Sequence, residues 1–483
     1  MSEVAVKPGR HRESTLYHAL HGAGAGDGRT LEQLREAALK VYESEELPVW
    51  RRSGFWTTSF EGLDLDGLQV RHHNPHAPEG TSTTYNDDDT LSARARRVAS
   101  KNNNTTTDPL PAIVGETLPE RERAGRIVQR DGTVVSVELD PELKRRGVIL
   151  CSLEDAAREH TELFERYYLK RLTLDRNKLE AASAAFWSGG AFLYVPPGLQ
   201  VPEPFQIVYE ISTGATAQYA HTLAIGDRGS DLRLREYGLA EPIDGDALHA
   251  GQFELYLEDG ARCRLAQLVD WGPGAVHDVS TSIVEVARDG WCHWLPALLG
   301  GSLVHHHDEL VIAGPGGDMA FRGLFFTDAH EHLDVFAVDL HETGPSGGDV
   351  HWRGAASGES RASFEGLIQI NPGAQQSHTY LQFHSMLLSA QARLDAIPSV
   401  LVSADDVSAS HGGTVGELDE DLIFYMQTRG LTRPQAVRVI VDGFFEPLIV
   451  QLDDPHLERL IRDRIGAKLA NAAAEIERYA LAR

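Results

Sequence analysis

The chain's 483 residues, at roughly 150 per domain, are enough to bury a large core without disulfide or metal staples. Forty-five basic against seventy-one acidic side chains leave a formal charge of -26, which repels nucleic-acid phosphates and anionic lipid, and no basic run in the sequence offsets it. The three cysteines, Cys151, Cys263 and Cys292, show no Cys-x-x-Cys spacing, and neither an apolar leader nor an eighteen-residue apolar run is present; a reduced, cytoplasmic chain with no nucleic-acid or membrane partner is expected.

In chain order, Thr30-Leu31-Glu32-Gln33 reads as a capping box, with Leu31, Leu34, Ala38 and Val41 at helical spacing before Pro48. A short N-terminal helix follows from this. The stretch from about 70 to 109, with His72-His73-Asn74-Pro75, Asp87-Asp88-Asp89 and Asn102-Asn103-Asn104, is too polar to pack and reads as a linker. Helical periodicity returns from Leu153 to Leu179, where Leu153, Ala156, Ala157, His160, Leu163, Phe164 and Tyr167 form one stripe. From Phe192 to about Ser403, roughly fifteen short apolar or alternating runs recur between turns rich in Gly, Asp and Pro, the pattern of an all-β unit. Three helices are expected after it. Asp419 caps a run to Gly430; Thr432 and Pro434 open a second, with Val437, Ile440, Val441, Phe444, Phe445 and Leu448 on one face; Asp454-Pro455 opens a third.

A repeat bears on the kind of β unit. Gly316-Gly317-Asp318-Met319-Ala320-Phe321-Arg322-Gly323 recurs 31 residues on as Gly347-Gly348-Asp349-Val350-His351-Trp352-Arg353-Gly354, and Phe364-Glu365-Gly366 ends a third strand alike. Such a period favours stacked coils, each burying its apolar face against its neighbours, over a sandwich, with a propeller or a jelly roll as the alternatives.

The histidines raise a metal reading. Residues two apart on a strand share a face, so His305 with His307, or His330 with His332, would present two imidazoles to one ion. A His-x-His with a further histidine is similar to the metal-binding cupins, which makes a metalloenzyme built on His330, His332 and His341 one alternative. A β-helix carbohydrate-active enzyme with carboxylates in a groove is another. Nucleophile elbow, Walker loop and dinucleotide fingerprint are all missing from the sequence.

The segment most informative about function is Ala404 to Asp421, where His411 is followed by Gly412 and Gly413, so that side-chain bulk is missing beside an imidazole. Asp405-Asp406-Val407 through His411-Gly412, continuing into Leu422-Ile423-Phe424-Tyr425-Met426-Gln427-Thr428-Arg429-Gly430, resembles the C-terminal signature of the SufB/SufD family of iron-sulfur cluster assembly proteins. Phe186-Trp187-Ser188-Gly189-Gly190-Ala191-Phe192-Leu193-Tyr194-Val195-Pro196-Pro197-Gly198 and Asn371-Pro372-Gly373-Ala374-Gln375-Gln376 resemble it too.

The resemblance implies a mainly β protein: a right-handed parallel β-helix core flanked by N-terminal and C-terminal α-helical regions. It implies a non-catalytic scaffold that pairs with a SufB-like chain and holds a SufC-like ATPase through its C-terminal helices. Within the family the chain resembles the SufD type: SufB-type members carry a cysteine where Phe383 stands and a glutamate where Gly412 stands, and Ala409 occupies a position where many SufD-like chains have cysteine. His411 is the residue carried over as contact for transient iron or a nascent cluster at the heterodimer interface, with no cofactor held stably by this chain alone. Phe444, Phe445 and Leu448 are expected to face the ATPase, and the strand edge at Leu394 to Val402 to pair with the SufB-like chain. The organisation expected is an N-terminal helical segment (1–69), a polar linker (70–109), an α/β lead-in (110–185), the β-helix (186–405) and a C-terminal helical domain (406–483).

Overall fold

In the computed structural model, residues 29–52, 56–70, 122–240, 242–272 and 275–481 are described; the expected linker, apart from Val70, lies outside them. Strands of about ten residues follow one another from Ala191 to Glu417, alternating between two ten-stranded sheets, so each coil gives one strand to each sheet. All neighbours in this stretch pair in parallel. The result is a parallel β-solenoid of about eight turns. At its N-terminal end the direction reverses: Gly125–Arg130 and Thr133–Leu139 form an antiparallel hairpin on one sheet, and Ile149–Cys151 runs antiparallel to Ala191–Val195 on the other.

Three apolar layers follow from the period-two alternation of the strands. The innermost fills the space between the sheets with a column of rings: Trp294 lies 4.4 Å from Phe321, Phe321 5.3 Å from Trp352, Trp352 5.2 Å from Phe364 and Phe364 4.8 Å from Phe383. The second lies between one sheet and the N-terminal helices Leu31–Ser44, Leu153–Glu159, Thr161–Tyr167 and Lys178–Phe186. The third lies between the other sheet and the C-terminal helices Glu420–Thr428, Arg433–Ile449 and Pro455–Leu481. Among the described residues no helix is long and apolar enough to cross a membrane.

The ladder explains the glycine repeat and corrects its period. Asp318 pairs with Gly347, a step of 29 residues rather than 31. The two-residue slip keeps every side chain on its face while setting two of the rings over glycines. Gly323 pairs with Trp352 and Phe325 with Gly354, and a Cβ on Gly323 or Gly354 would stand 2.0 Å or 2.2 Å from the facing ring. Ring on ring at the 31-residue register would leave no such space. The third copy, Phe364-Glu365-Gly366, belongs to the opposite sheet, where its strand pairs with His332–His341.

The capping boxes at Thr30 and Thr432, and the caps at Asp419 and Asp454, open helices where the sequence places them. Two boundaries differ. The stripe read from Leu153 breaks at His160, whose backbone leaves the helical region and whose ring stacks on Phe192 at 6.4 Å; a separate helix starts at Lys178 under the Asn177 cap. Between Tyr167 and that helix the chain is held across the coils by Lys170 and Arg171 on Glu285, Arg171 on Glu342 and Arg176 on Glu309, at 2.5 to 2.8 Å. The second difference concerns the end of the solenoid: Ser408–Glu417 is a full strand, so the β unit extends past 405 and the helical domain begins at Glu420.

Candidate functional site at the open end of the solenoid

The last two strands, Arg393–Val402 and Ser408–Glu417, are the C-terminal edges of the two sheets. Among the described residues, neither pairs with a further strand on its outer side. The expectation of an open edge at Leu394 to Val402 therefore extends to a second edge beside it. Val400, Val402 and Val415 are 40 to 48% exposed there, and Asp395 is paired with Arg393 at 2.8 Å.

His411 stands on the second of these edges. It pairs in register with Leu381, so it shares the inward face with Leu381 and Phe383, both buried under it. A further coil would bury this row; without one, His411 is exposed at the end of the aromatic column. Ala409 precedes it on the same face, half-buried against the core. Gly412 faces the other way, where a Cβ would come within 3.2 Å of the Tyr380 hydroxyl, so a larger residue would have to displace that phenol. Phe383 is packed between Phe364 and Phe325, at 4.8 and 5.9 Å, and closes the column beneath His411 with a ring.

The outer face beside this edge carries Tyr380, His351 and His384. His351 Nε2 lies 2.8 Å from Asp349 Oδ1 and its ring meets Tyr380 edge to face at 5.7 Å. His384 Nδ1 lies 2.6 Å from Thr414 Oγ1; partial burial, with Arg353 and His351 nearby, lowers its pKa. Sequence reasoning singles out His351 only as one of the repeat's residues and histidines and misses Tyr380 and His384, because nothing along the chain marks a residue on an earlier coil as a neighbour of the last strand.

Among the described residues, the remaining histidines do not form a metal centre. His330 is 82% exposed at a turn, whereas His341 is fully buried with its ring nitrogens 2.8 Å from Ser346 Oγ and 3.3 Å from Asp339 Oδ2. His332 Nε2 meets the Thr58 hydroxyl at 3.0 Å. The triad His330, His332 and His341 is thus not brought together, because its members lie at a turn, on a strand start and inside the stack. His305 stacks on Trp50 at 3.7 Å with Asp334 at 3.1 Å, and His307 Nε2 lies 2.8 Å from Glu309. Among the described residues no group of three or more His, Cys, Asp or Glu is placed to hold a metal ion. Cys263 and Cys292 pair in register in the core, burial raising the Cys263 thiol far above its ordinary range, and burial pushes Cys151 up to about 12. Reactive thiolate chemistry is therefore disfavoured at Cys151 and Cys263.

The apolar face of Arg433–Ile449 is also placed differently. Phe445 and Leu448 are 0% and 2% exposed within the layer against the sheet, and half-buried Phe444 lies under the Arg353 guanidinium at 5.3 Å. The face expected to meet a partner is the domain's own core. Exposed apolar surface is found instead on Glu420–Thr428, where only Ile423 is buried and Phe424, Tyr425 and Leu422 are 67%, 55% and 39% exposed. The run of five apolar residues from Leu422 to Met426, more than one buried side of a helix can use, is the signal the sequence holds for it.

Fold and site together define a parallel β-solenoid flanked by helices, with one strand-edged end left open. Models of two family regions match the chain: the SufBD core domain of SUF-system FeS cluster assembly over residues 209–444, and the SufBD N-terminal region over residues 128–207. The chain belongs to the SufBD family of iron-sulfur cluster assembly proteins. It is 25% identical over 415 residues to an iron-sulfur cluster assembly SufBD family protein of Staphylococcus epidermidis (strain ATCC 12228), covering 84% of this chain and 88% of the relative. Similar proteins of Staphylococcus haemolyticus and Staphylococcus saprophyticus are 26% identical over 338 residues, covering 69% of this chain and 72% of each relative.

Proposed function

We propose that the chain is a SufD-like, non-catalytic scaffold subunit, pairing the open end of its solenoid with a SufB-like chain and holding a SufC-like ATPase by its C-terminal helices. The observation that carries this reading is the uncapped end, where two adjacent parallel edges and the inward row of His411 await another coil. Open edges template strand addition, and a homologous solenoid end supplies strands of matching spacing. For the ATPase, the exposed Phe424 and Tyr425 replace the buried Phe445 and Leu448 as the docking residues.

In this reading His411 contacts iron or a nascent cluster passing through the interface. Imidazole is a borderline ligand, uncharged over much of the neutral range, but one imidazole does not hold iron tightly, and the chain's buried thiols point to ligands from the partner. The test is iron and sulfide content of the complex co-expressed with its partners. His411→Ala should leave subunit stoichiometry unchanged and strongly reduce both, whereas His330→Ala should change neither. A fully loaded His411→Ala complex would leave this histidine a structural role only.

A further inference from the structure

The outer face of the sheet under the C-terminal helices gathers a basic notch that is dispersed in the sequence. Arg233, Arg264 and His293 stand in register on three successive strands, and Arg262 pairs in register with Trp291. With Arg235, Leu452, Asp454 and Leu457, the first three line a small notch beside the C-terminal helices. Two of these arginines are already matched: Arg233 Nη2 lies 2.9 Å from Asp453 Oδ2, and Arg235 is paired with Asp454. Among the described residues, Arg262 and Arg264 have no carboxylate partner; Arg264 lies 5.3 Å over the Trp291 ring. His293 Nε2 is buried without a hydrogen-bond partner. Burial, with Arg322 and Arg264 nearby, pushes the His293 pKa down to about 4, so its ring is neutral and its free nitrogen is available as an N–H donor in one tautomer.

On a chain of formal charge -26, a guanidinium with no carboxylate partner stands here beside a buried ring nitrogen that lacks an acceptor. We propose that this notch is a binding site for a phosphate-sized oxyanion, with Arg264 supplying a guanidinium that has no carboxylate partner, His293 the unsatisfied ring nitrogen, and Arg233 shared with Asp453. A tetrahedral dianion accepts from three directions at once, and the guanidinium fork matches two of its oxygens. Free inorganic phosphate and the phosphoryl group of a monoester share this chemistry. Nothing in the notch depends on the Suf reading.

The experiment is calorimetric titration of the full chain at constant ionic strength with inorganic phosphate, with AMP as a phosphate monoester, and with acetate. Saturable phosphate binding is expected, weakened about tenfold or more in Arg264→Ala and less in Arg264→Lys, which keeps the charge but loses the fork. Arg145→Ala, on a distant exposed ion pair, should leave it unchanged. Equal affinity for AMP assigns free phosphate as sufficient, and tighter AMP binding assigns a monoester as the source. Nuclear magnetic resonance of labelled histidine should show the His293 titration midpoint rising when phosphate is bound. No saturable binding, acetate binding as tight as phosphate, an unchanged constant in a folded Arg264→Ala chain, or an unmoved His293 midpoint would overturn the site.

Discussion

Glu236 faces the interior of the solenoid, where it lines a chamber shared with His249, Gln267, Asp278 and His306. Burial pushes its carboxyl up to about 7, although it accepts hydrogen bonds from Thr222 at 2.6 Å and Gln267 at 3.0 Å. A carboxyl raised in the folded state contributes stability that is fully present below its unfolded pKa and is lost as pH rises through the folded one. Stability should therefore fall between about pH 4.5 and pH 7 by up to about 3 kcal/mol from this group, since each tenfold difference in proton affinity between the folded and unfolded chain is worth ~1.4 kcal/mol. Glu236→Gln should flatten that part of the profile, and denaturant unfolding of both chains from pH 4.5 to 8 checks it. An equally steep fall in Glu236→Gln would assign the slope elsewhere. Asp278 behaves oppositely: against the burial that raises it, the His306 charge holds it down at about 2, so its contribution is lost only as pH falls through that value. None of this is visible in the sequence, because Glu236, Asp278 and His306 come from three strands whose approach is set by the coil geometry. His411 is visible there because two glycines follow it on one strand.

At the level of elements, the caps and the strand alternation are legible because they are local. Thr30 with Gln33 and Thr432 with Gln435 fix their helix starts by reciprocal side-chain and backbone hydrogen bonds within four residues. Ser408–Glu417 is not legible: it carries only Val415 as a bulky apolar residue, and its extended state comes from the ladder with His378–Leu387 rather than from its own pattern. The helix face Val437, Val441, Phe445 and Leu448 is legible as apolar, but sequence does not say whether such a stripe meets its own sheet or another chain. This distinction is testable with two variants. Phe445→Ala should cost about 3 to 5 kcal/mol of stability in denaturant unfolding, as for other fully buried rings. Phe424→Ala, on the exposed helix, should change stability by less than about 0.5 kcal/mol yet reduce co-purification of a SufC-like ATPase. Unchanged ATPase stoichiometry in Phe424→Ala would remove this helix from the docking surface.

The molecule as a whole is asymmetric along the solenoid axis. At the N-terminal end the parallel stack gives way to antiparallel pairs, and the terminal strand Thr133–Leu139 carries Glu138 bound to Arg126 at 2.9 Å. Charges on an edge discourage strand addition there. At the other end both sheets stop on ten-residue strands in full parallel register with the coil beneath, and the apolar column reaches the surface at the row of His411. A partner that continues the stack would gain backbone hydrogen bonds on both sheets and bury that row in one step, so the proposed pairing is expected at this end. Amide hydrogen exchange reports it directly. In the isolated chain the amides of 393–402 and 408–417 that face away from the stack should exchange rapidly, and addition of a SufB-like chain should slow them, while those of Thr133–Leu139 should not change. Protection is expected on both edges together, because the two strands belong to the same final coil. Rapid exchange persisting on both edges within the intact complex would place the subunit interface on some other face.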